Sequence, residues 1–261
     1  ARRIYAKRMR YKYKAKDPKS WLCRFHTQTA GCSLTAQQPE NNIIRVALQA
    51  LSGVLGGTQS LHTNSMDETL ALPSEKAVTI ALRTQQIIAY ETGVANTPDP
   101  LAGSYFIEAL TDKMEAEAEK YFEEIESRGG VLQCIEDGFF QQEIARAAYR
   151  HQLELEKKDR IIVGVNEFVM DDEKIDIPVL KIDRNAERDQ VAFVKKIKAE
   201  RDNGAVQATL AKLREAAKTK QNTFEALYEC CKVYASVGEM CDVLREEWGE
   251  YVETAAAMKP C

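Results

Sequence analysis

RFHTQTAG at residues 24–31 and GGTQSLHTNS at residues 56–65 are the two stretches that decide the fold of this chain. Each is typical of a short strand that ends in a polar loop, and a long helical pattern follows each of them. Strands and helices that alternate at this spacing are typical of parallel βα units. The hydrogen-bonding side chains at the two strand ends predict one wall of an active site rather than part of a packed core.

The first half of the chain continues this alternation. Strands are predicted at residues 21–28, 58–63 and 104–109, and helices at 39–55, 74–93 and 111–128. The second half has a helix at 134–157, a short buried strand at 160–166, an edge strand at 175–182, and helices through 184–261. We therefore predict an α/β fold, with βα units over 1–130 and a mainly helical region with two short strands over 131–261.

Composition and charge argue against several classes of partner. A net charge of -4 gives no reason to expect nucleic acid, and no apolar run approaches the roughly 20 residues that span a bilayer. Seven scattered cysteines favour reduced thiols and a cytoplasmic protein over disulfides or a zinc site. Residues 1–19 hold nine Lys or Arg, which predicts either an anion-binding patch or, as we favour, a solvated helix face with Tyr5, Met9 and Tyr11 or Tyr13 turned inward.

Two histidines occupy similar places in the two deciding stretches. His26 and His62 are suited to act as general acid, metal ligand or neutral donor to a bound carbonyl, and the alternative is that each is a satisfied core histidine. With Gln28, Gln59 and Asn64 beside them, we favour a ligand-lining role. Neither stretch offers the further Cys or His ligands of a zinc site, so no protein-bound metal is predicted.

Asn64 and Glu68 lie four residues apart where the second strand ends. If a helix begins there, this spacing lets both side chains face one ligand, for instance the two hydroxyls of a ribose. An alternative is equally consistent with the spacing, because Ser65 and Glu68 match a capping box, in which Glu68 caps its own helix.

Four runs resemble the adenosylcobalamin-dependent acyl-CoA mutases, closest to the methylmalonyl-CoA mutase family. They are RFHTQTAGCSLTAQQPENN, GGTQSLHTNSMDETLALPSEKA, DPLAGSYFIEALT and IIVGVNEF. The resemblance covers essentially the whole chain and is weaker over 184–261. It implies the C-terminal βα units of a (β/α)8 TIM-type barrel, followed by a mostly helical linker region.

The resemblance also implies a cofactor and partners. In this family CoA enters along the barrel axis, and adenosylcobalamin caps the barrel on a separate cobalamin-binding domain or small subunit. The chain would then isomerise an acyl-CoA as part of an oligomer, and would be inactive without the N-terminal barrel half. The residues that match family positions are catalytic His26 and Gln28, and cofactor-binding Gln59, His62, Asn64 and Glu68, with Asn64 and Glu68 on the ribose.

Two features leave the substrate open. The family's substrate-binding Tyr, His and Arg belong to the other barrel half, which this sequence does not contain. A separate departure concerns the cofactor: no His follows His151, so the His that ligates cobalt in the family has no counterpart here. Cys32 stands where methylmalonyl-CoA mutases often carry Trp, so isobutyryl-, 2-hydroxyisobutyryl- and ethylmalonyl-CoA are also candidates. The competing hypothesis is a non-catalytic assembly module, which is physically unfavourable because half a barrel leaves strand edges open.

Overall fold

The computed structural model describes residues 1–175 and 177–252. It is a mixed α/β structure, 60% helical, with a small parallel sheet. The chain divides near residue 180 into two compact units, residues 1–180 and a second unit that begins at Lys181. The sequence predicts a different boundary, at residue 130, where the βα units end and the mainly helical region begins. That boundary stays a prediction.

The sheet of the first unit has two parallel strands, β1 (His26–Gln28) and β2 (Ser60–His62). His26 pairs with Ser60, and Gln28 pairs with His62. The predicted parallel βα arrangement is therefore confirmed, although both strands are shorter than expected. Residues 18–21 form a 3₁₀ turn instead of the start of β1, because Asp17 caps that turn by accepting the Lys19 N–H at 2.9 Å.

Helix α2 (Asn41–Leu55) connects the strands and covers one face of the sheet. Val46 and Ala50 are buried on its inner side. A Cβ on Gly53 would lie 3.1 Å from Thr27 Cγ2, so the helix approaches the strand closely at this glycine. Helix α3 (Glu75–Tyr90) follows β2 and begins where Ser74 accepts the Ala77 N–H at 3.2 Å.

The third predicted strand, 104–109, is wrong, because residues 105–109 are helical and Ser104 is the N-cap. These residues begin α4 (Tyr105–Ser127), which continues through nearly all of the helix predicted at 111–128. Phe106, Leu110 and Met114 recur every four residues, which is helical spacing, and all three are exposed. The short apolar run at 105–107 that suggests a strand is thus part of the first turn of this helix.

The basic N-terminal segment forms helix α1 (Arg2–Lys7), continued by a π-helical turn, Arg8–Lys12. Its charges pair with the acidic face of α4: Lys7 Nζ lies 2.8 Å from Glu115 Oε1, and Arg8 Nη2 lies 2.5 Å from Glu119 Oε2. Arg3 and Lys12 add further ion pairs to the same helix. The basic residues of 1–19 other than Arg8 are exposed, as predicted for a solvated face, although four of the nine also pair with α4. The inward Tyr5 and Tyr11 or Tyr13 are wrong, because all three tyrosines are exposed, whereas Met9 is half-buried.

After Gly130, the chain forms shorter helices than predicted and lacks the predicted strands in the described residues. The expected helix at 134–157 is two helices, α5 (Val131–Glu136) and α6 (Phe139–Glu156), separated at Gly138, whose φ of 70° is left-handed. The strands expected at 160–166 and 175–182 do not form in the described residues; Asp176 lies outside them. Asn166 folds the first of these segments into a loop by accepting the Ile162 N–H and donating to Arg160 O, both at 2.8 Å.

The second unit is helical, as predicted. It contains α7 (Arg184–Glu200), α8 (Asn203–Ala217), α9 (Phe224–Lys232) and α10 (Val237–Trp248). Its buried core consists of Val206, Leu210, Leu213, Cys230, Ala235, Met240 and Val243. Ser236 and Glu239 form a capping box at the start of α10. Among the described residues of the whole chain, none of the helices combines the length and apolar character needed to cross a bilayer.

Candidate functional site

The side of the sheet that α2 does not cover carries the polar residues of the two deciding stretches. His26 and Gln28 on β1, with Ser60 and His62 on β2, are exposed, whereas Thr27 and Leu61 between them are half-buried. Successive residues of a strand point to opposite faces, so the four exposed side chains share one face. We call this the open face. It presents two imidazoles, an amide and a hydroxyl.

A direct contact joins the two strands on the open face. His26 Nδ1 lies 2.7 Å from Ser60 Oγ. This bond occupies Nδ1 and leaves Nε2 of His26 as the ring nitrogen available to a ligand. Ser60 was not among the predicted site residues, and only the pairing register of the strands shows that it faces His26.

Asn64 is held at the end of β2 by Thr29 at the end of β1. The Asn64 backbone N–H donates to Thr29 Oγ1 at 2.9 Å, and the Thr29 hydroxyl donates to Asn64 Oδ1 at 3.0 Å. Gln28 Nε2 also donates to Asn64 Oδ1, at 3.4 Å. Asn64 is only 3% exposed, yet its Nδ2 is buried without a hydrogen-bond partner in the described structure. A buried donor of this kind is costly unless a ligand satisfies it.

Gly31 is the point where Asn64 and Glu68 come together. A Cβ on Gly31 would lie 2.8 Å from Asn64 Nδ2 and 3.3 Å from Glu68 Oε1. The first distance is too short for a real carbon, so glycine is needed for this approach. The structure therefore places a free amide donor and a carboxylate beside each other, which we call the Asn64–Glu68 pair.

The local structure that produces this pair differs from the expected one. No helix begins at Ser65: residues 66–72 are turns and bends, and α3 begins only at Glu75. The predicted capping box of Ser65 and Glu68 is wrong, because the Ser65 hydroxyl donates to Asp67 Oδ1 at 2.5 Å. Asp67 Oδ2 accepts the Ser74 N–H at 2.9 Å, so the buried Asp67 connects this turn to the start of α3.

Asn42, a fully buried residue of α2, fixes the two loops that carry the site. Its Nδ2 donates to Thr35 O and to Met66 O, both at 2.9 Å, and its Oδ1 accepts the Thr35 N–H at 3.1 Å. Thr35 follows β1 and Met66 follows β2, so one side chain ties both loops to the helix between them. Full burial is unusual for Asn, and the sequence does not distinguish Asn42 from the neighbouring Asn41, so only the structure identifies this residue.

Gln59 is separated from the other predicted site residues. It precedes β2, where its Oε1 accepts the Phe25 N–H at 2.8 Å and its Nε2 donates to Gly57 O at 3.0 Å. These bonds lie at the amino ends of the parallel strands, whereas the Asn64–Glu68 pair lies beyond their carboxyl ends. Among the described residues, no three His, Cys, Asp or Glu side chains are grouped to hold a metal ion.

A sequence model of the methylmalonyl-CoA mutase family matches residues 1–250. The chain belongs to the methylmalonyl-CoA mutase family. It is 44% identical over 97% of its length to the large subunit of 2-hydroxyisobutanoyl-CoA mutase from Aquincola tertiaricarbonis, of which it covers 45%. It is 43% identical over 91% of its length to methylmalonyl-CoA mutase of Escherichia coli, strain K12, of which it covers 33%.

The human relative in the methylmalonyl-CoA mutase family, the mitochondrial enzyme, is 40% identical over 96% of this chain, which covers 34% of it. The chain thus spans less than half the length of these curated relatives. These relatives are named as mutases of two different acyl-CoA thioesters, methylmalonyl-CoA and 2-hydroxyisobutanoyl-CoA.

Proposed function

We propose that this chain is part of the catalytic subunit of an adenosylcobalamin-dependent acyl-CoA mutase that rearranges the carbon skeleton of a CoA thioester. The match to the methylmalonyl-CoA mutase family over residues 1–250 supports the reaction class. The observation that carries the site is the buried Asn64 Nδ2 without a partner, next to Glu68 and beside a glycine. Methylmalonyl-CoA or a close analogue is the proposed substrate.

The Asn64–Glu68 pair fits the ribose of the adenosyl group. A ribose diol presents two neighbouring hydroxyls, each both donor and acceptor. Asn64 Nδ2 would donate to one hydroxyl, and the Glu68 carboxylate would accept from the other. Asn64 would then no longer hold a buried unsatisfied donor, which would favour the bound state.

The open face supplies the wall around the reacting groups. Adenosylcobalamin supplies radical chemistry when it is bound. Such chemistry requires side chains that hold the substrate and exclude water without being nucleophiles. The proposed catalytic residues are His26, through its available Nε2, and Gln28, through its amide; His62, which pairs with Gln28 across the two strands, is proposed to contact the cofactor. Gln59 is the remaining proposed cofactor-facing residue.

A (β/α)8 barrel completed by other protein segments is the proposed setting of the sheet. The parallel pair with a helix across one face is consistent with two adjacent barrel units. In the described residues, β1 and β2 pair only with each other, so each strand has one unpaired edge. Proteins usually cover or pair such edges, and neighbouring barrel strands would do so here. Ile44 and Leu48 of α2 are 61% and 64% exposed, and neighbouring barrel helices would cover them. The proposed partners are the N-terminal barrel half and a cobalamin-binding domain or small subunit, in a cytoplasmic oligomer.

Reconstitution tests the reaction. The chain is combined with the N-terminal barrel half and the cobalamin-binding subunit, and methylmalonyl-CoA and 2-hydroxyisobutanoyl-CoA are supplied with adenosylcobalamin. We expect isomerisation of at least one thioester, detected by mass spectrometry of the CoA products. Stable assembly without any isomerisation would contradict the proposal and favour the non-catalytic assembly module.

Substitutions at the pair test the ribose role in the reconstituted enzyme. Asn64→Ala and Glu68→Gln should weaken adenosylcobalamin binding about tenfold or more while the Kd for the CoA ester changes little. Glu75→Gln, an exposed carboxylate in the first turn of α3, is the matched control and should leave both constants unchanged. Equal weakening of cofactor and CoA ester would count against the ribose role.

Gly31→Ala tests the same site from the backbone side. The added Cβ displaces the Asn64 amide and the Glu68 carboxylate, so adenosylcobalamin affinity should fall although the chain still folds. Gly238→Ala is the control, because a Cβ there meets nothing within 4 Å and the residue lies in α10. An unchanged affinity in Gly31→Ala would show that the approach at Gly31 is unimportant.

A further inference from the structure

We infer that Thr29 is a positioning residue whose hydroxyl fixes the orientation of the Asn64 side-chain amide, so that Nδ2 faces Gly31 and Glu68 as a donor. The orientation is argued from geometry alone. That this orientation allows Asn64 to bind a ribose rests on the proposed function.

The direction of each hydrogen bond supports this inference. The Asn64 backbone N–H can only donate, so Thr29 Oγ1 is the acceptor at 2.9 Å. The Thr29 hydroxyl proton is then directed to its other neighbour, Asn64 Oδ1, at 3.0 Å. Gln28 Nε2 adds a second donor to the same oxygen at 3.4 Å. An amide rotated by 180° would set its NH₂ group against Gln28 Nε2, which is also a donor, and would deprive the Thr29 hydroxyl proton of its acceptor Oδ1.

The unsatisfied Nδ2 is a consequence of this arrangement. With Oδ1 held on the β1 side, Nδ2 must lie on the opposite side, where Gly31 leaves room for it. Thr29 is 4% exposed and Asn64 is 3% exposed, so water does not offer either side chain an alternative partner. Without the Thr29 hydroxyl, the amide would rotate toward whichever acceptor could satisfy its NH₂ group.

Thr29→Val tests the inference, because valine keeps the shape of threonine and removes only the hydroxyl. Thr29→Ser keeps the hydroxyl and should restore wild-type behaviour. Thr27→Val is the matched control: it removes a hydroxyl from β1, two residues before Thr29, but Thr27 donates to Thr58 Oγ1 at 2.8 Å and does not bond to Asn64.

The first measurement is nuclear magnetic resonance of the full chain, with the Asn64 NH₂ signals assigned by their loss in Asn64→Asp. We expect nuclear Overhauser effects between these protons and the Gly31 Hα protons in the wild type, Thr29→Ser and Thr27→Val, and their loss in Thr29→Val. Retention in Thr29→Val would overturn the inference. If Thr29→Val does not fold, the wild type decides: contacts of the NH₂ protons with Thr29 instead of Gly31 would overturn it.

The second measurement uses the reconstituted enzyme and separates this inference from the proposed function. Thr29→Val should lose adenosylcobalamin affinity about tenfold and keep its affinity for hydroxocobalamin, which lacks the adenosyl group. If Asn64→Ala shows that selective loss and Thr29→Val does not, the positioning role is overturned. If neither shows it while the magnetic resonance result holds, the orientation is supported and the ribose role in the proposed function fails.

Discussion

Two buried asparagines beside the sheet have opposite hydrogen-bonding states. Asn42 uses its oxygen and its nitrogen on Thr35, Met66 and Arg45, and so holds two loops to α2. Asn64 uses its oxygen on Thr29 and leaves its nitrogen free. A buried amide whose hydrogen bonds are all made stabilises the fold. A buried amide with a free N–H group destabilises it, and a ligand that accepts this hydrogen bond removes the penalty. The hydrogen-bonding state of each side chain therefore distinguishes the structural Asn42 from Asn64, the residue proposed to bind a ligand.

Asn42→Ala should lower the free energy of unfolding by about 2–4 kcal/mol, because it leaves the Thr35 N–H, Thr35 O and Met66 O without partners in a buried position. Urea unfolding followed by circular dichroism measures this. The neighbouring Asn41→Ala removes one half-buried bond, to Gln38 Oε1, and is the control. Equal losses for the two variants would contradict the role given to Asn42.

At the scale of elements, the start of α10 shows how a local signal becomes a tertiary contact. The Glu239 carboxylate accepts the Ser236 N–H at 2.8 Å, as a capping box predicts. Arg201, at the end of α7, donates to both oxygens of the same carboxylate, at 2.8 and 2.6 Å. The Arg201 guanidinium, with the Ser236 bonds second, holds the pKa of Glu239 far below its usual value. The cap thus also joins two helices.

This contact predicts a pH dependence. Because folding lowers the pKa of Glu239, its contribution to stability is fully present above its ordinary value of 4.5 and is lost as pH falls through the lowered folded value. Glu239→Gln should therefore cost about 2 kcal/mol at pH 7 and progressively less below about pH 4. The measurement is urea unfolding followed by Trp248 fluorescence in a Trp21→Phe background.

Glu229→Gln is the control for this pH dependence, since Glu229 forms an ion pair with Lys232 that is half exposed on both sides. Solvent screens such a pair, so its loss should have a much smaller effect. A cost of Glu239→Gln that does not change between pH 7 and pH 3 would contradict the pairing with Arg201.

The elements that the sequence predicts correctly are those whose signal is local. Helices α2, α3 and α8 to α10 carry apolar residues at helical spacing, and α3, α8 and α10 also begin at a capping side chain. These signals need no other part of the chain to be recognised. Residues 104–109 and 160–166 are misread because a short apolar run is compatible with strand, helix or loop. The segment 104–109 is mostly helical because it is continuous with the rest of α4. The segment 160–166 is a loop because the Asn166 side chain accepts the Ile162 N–H.

At the scale of the whole molecule, the second unit has its own core around Leu213, which is 0% exposed. We expect residues 181–252 to fold alone and to unfold cooperatively on heating. A domain of about 70 residues has only a few kcal/mol of stability, and Leu→Ala in a core costs about 2–5 kcal/mol. Leu213→Ala should therefore leave it largely unfolded, as measured by circular dichroism.

Val237→Ala is the control in this unit, because Val237 is 72% exposed and its truncation should change the melting temperature little. A non-cooperative melt of residues 181–252, or equal effects of the two substitutions, would show that the core near Leu213 is not self-sufficient.

The sequence by itself determined the parallel βα order, the helical second unit and the family, and it singled out Asn64 and Glu68 as the pair proposed to bind a ligand. The βα order and the helices depend on periodicities that are local along the chain, and the family depends on the four runs that resemble it. Only the tertiary structure decided that Asn64 and Glu68 meet over Gly31 without a helix between them, that Gln59 lies at the opposite end of the strands, and that Thr29 and Ser60 hold the site residues. The physical reason is that a hydrogen bond between strands depends on their register, and register is fixed by packing across the sheet.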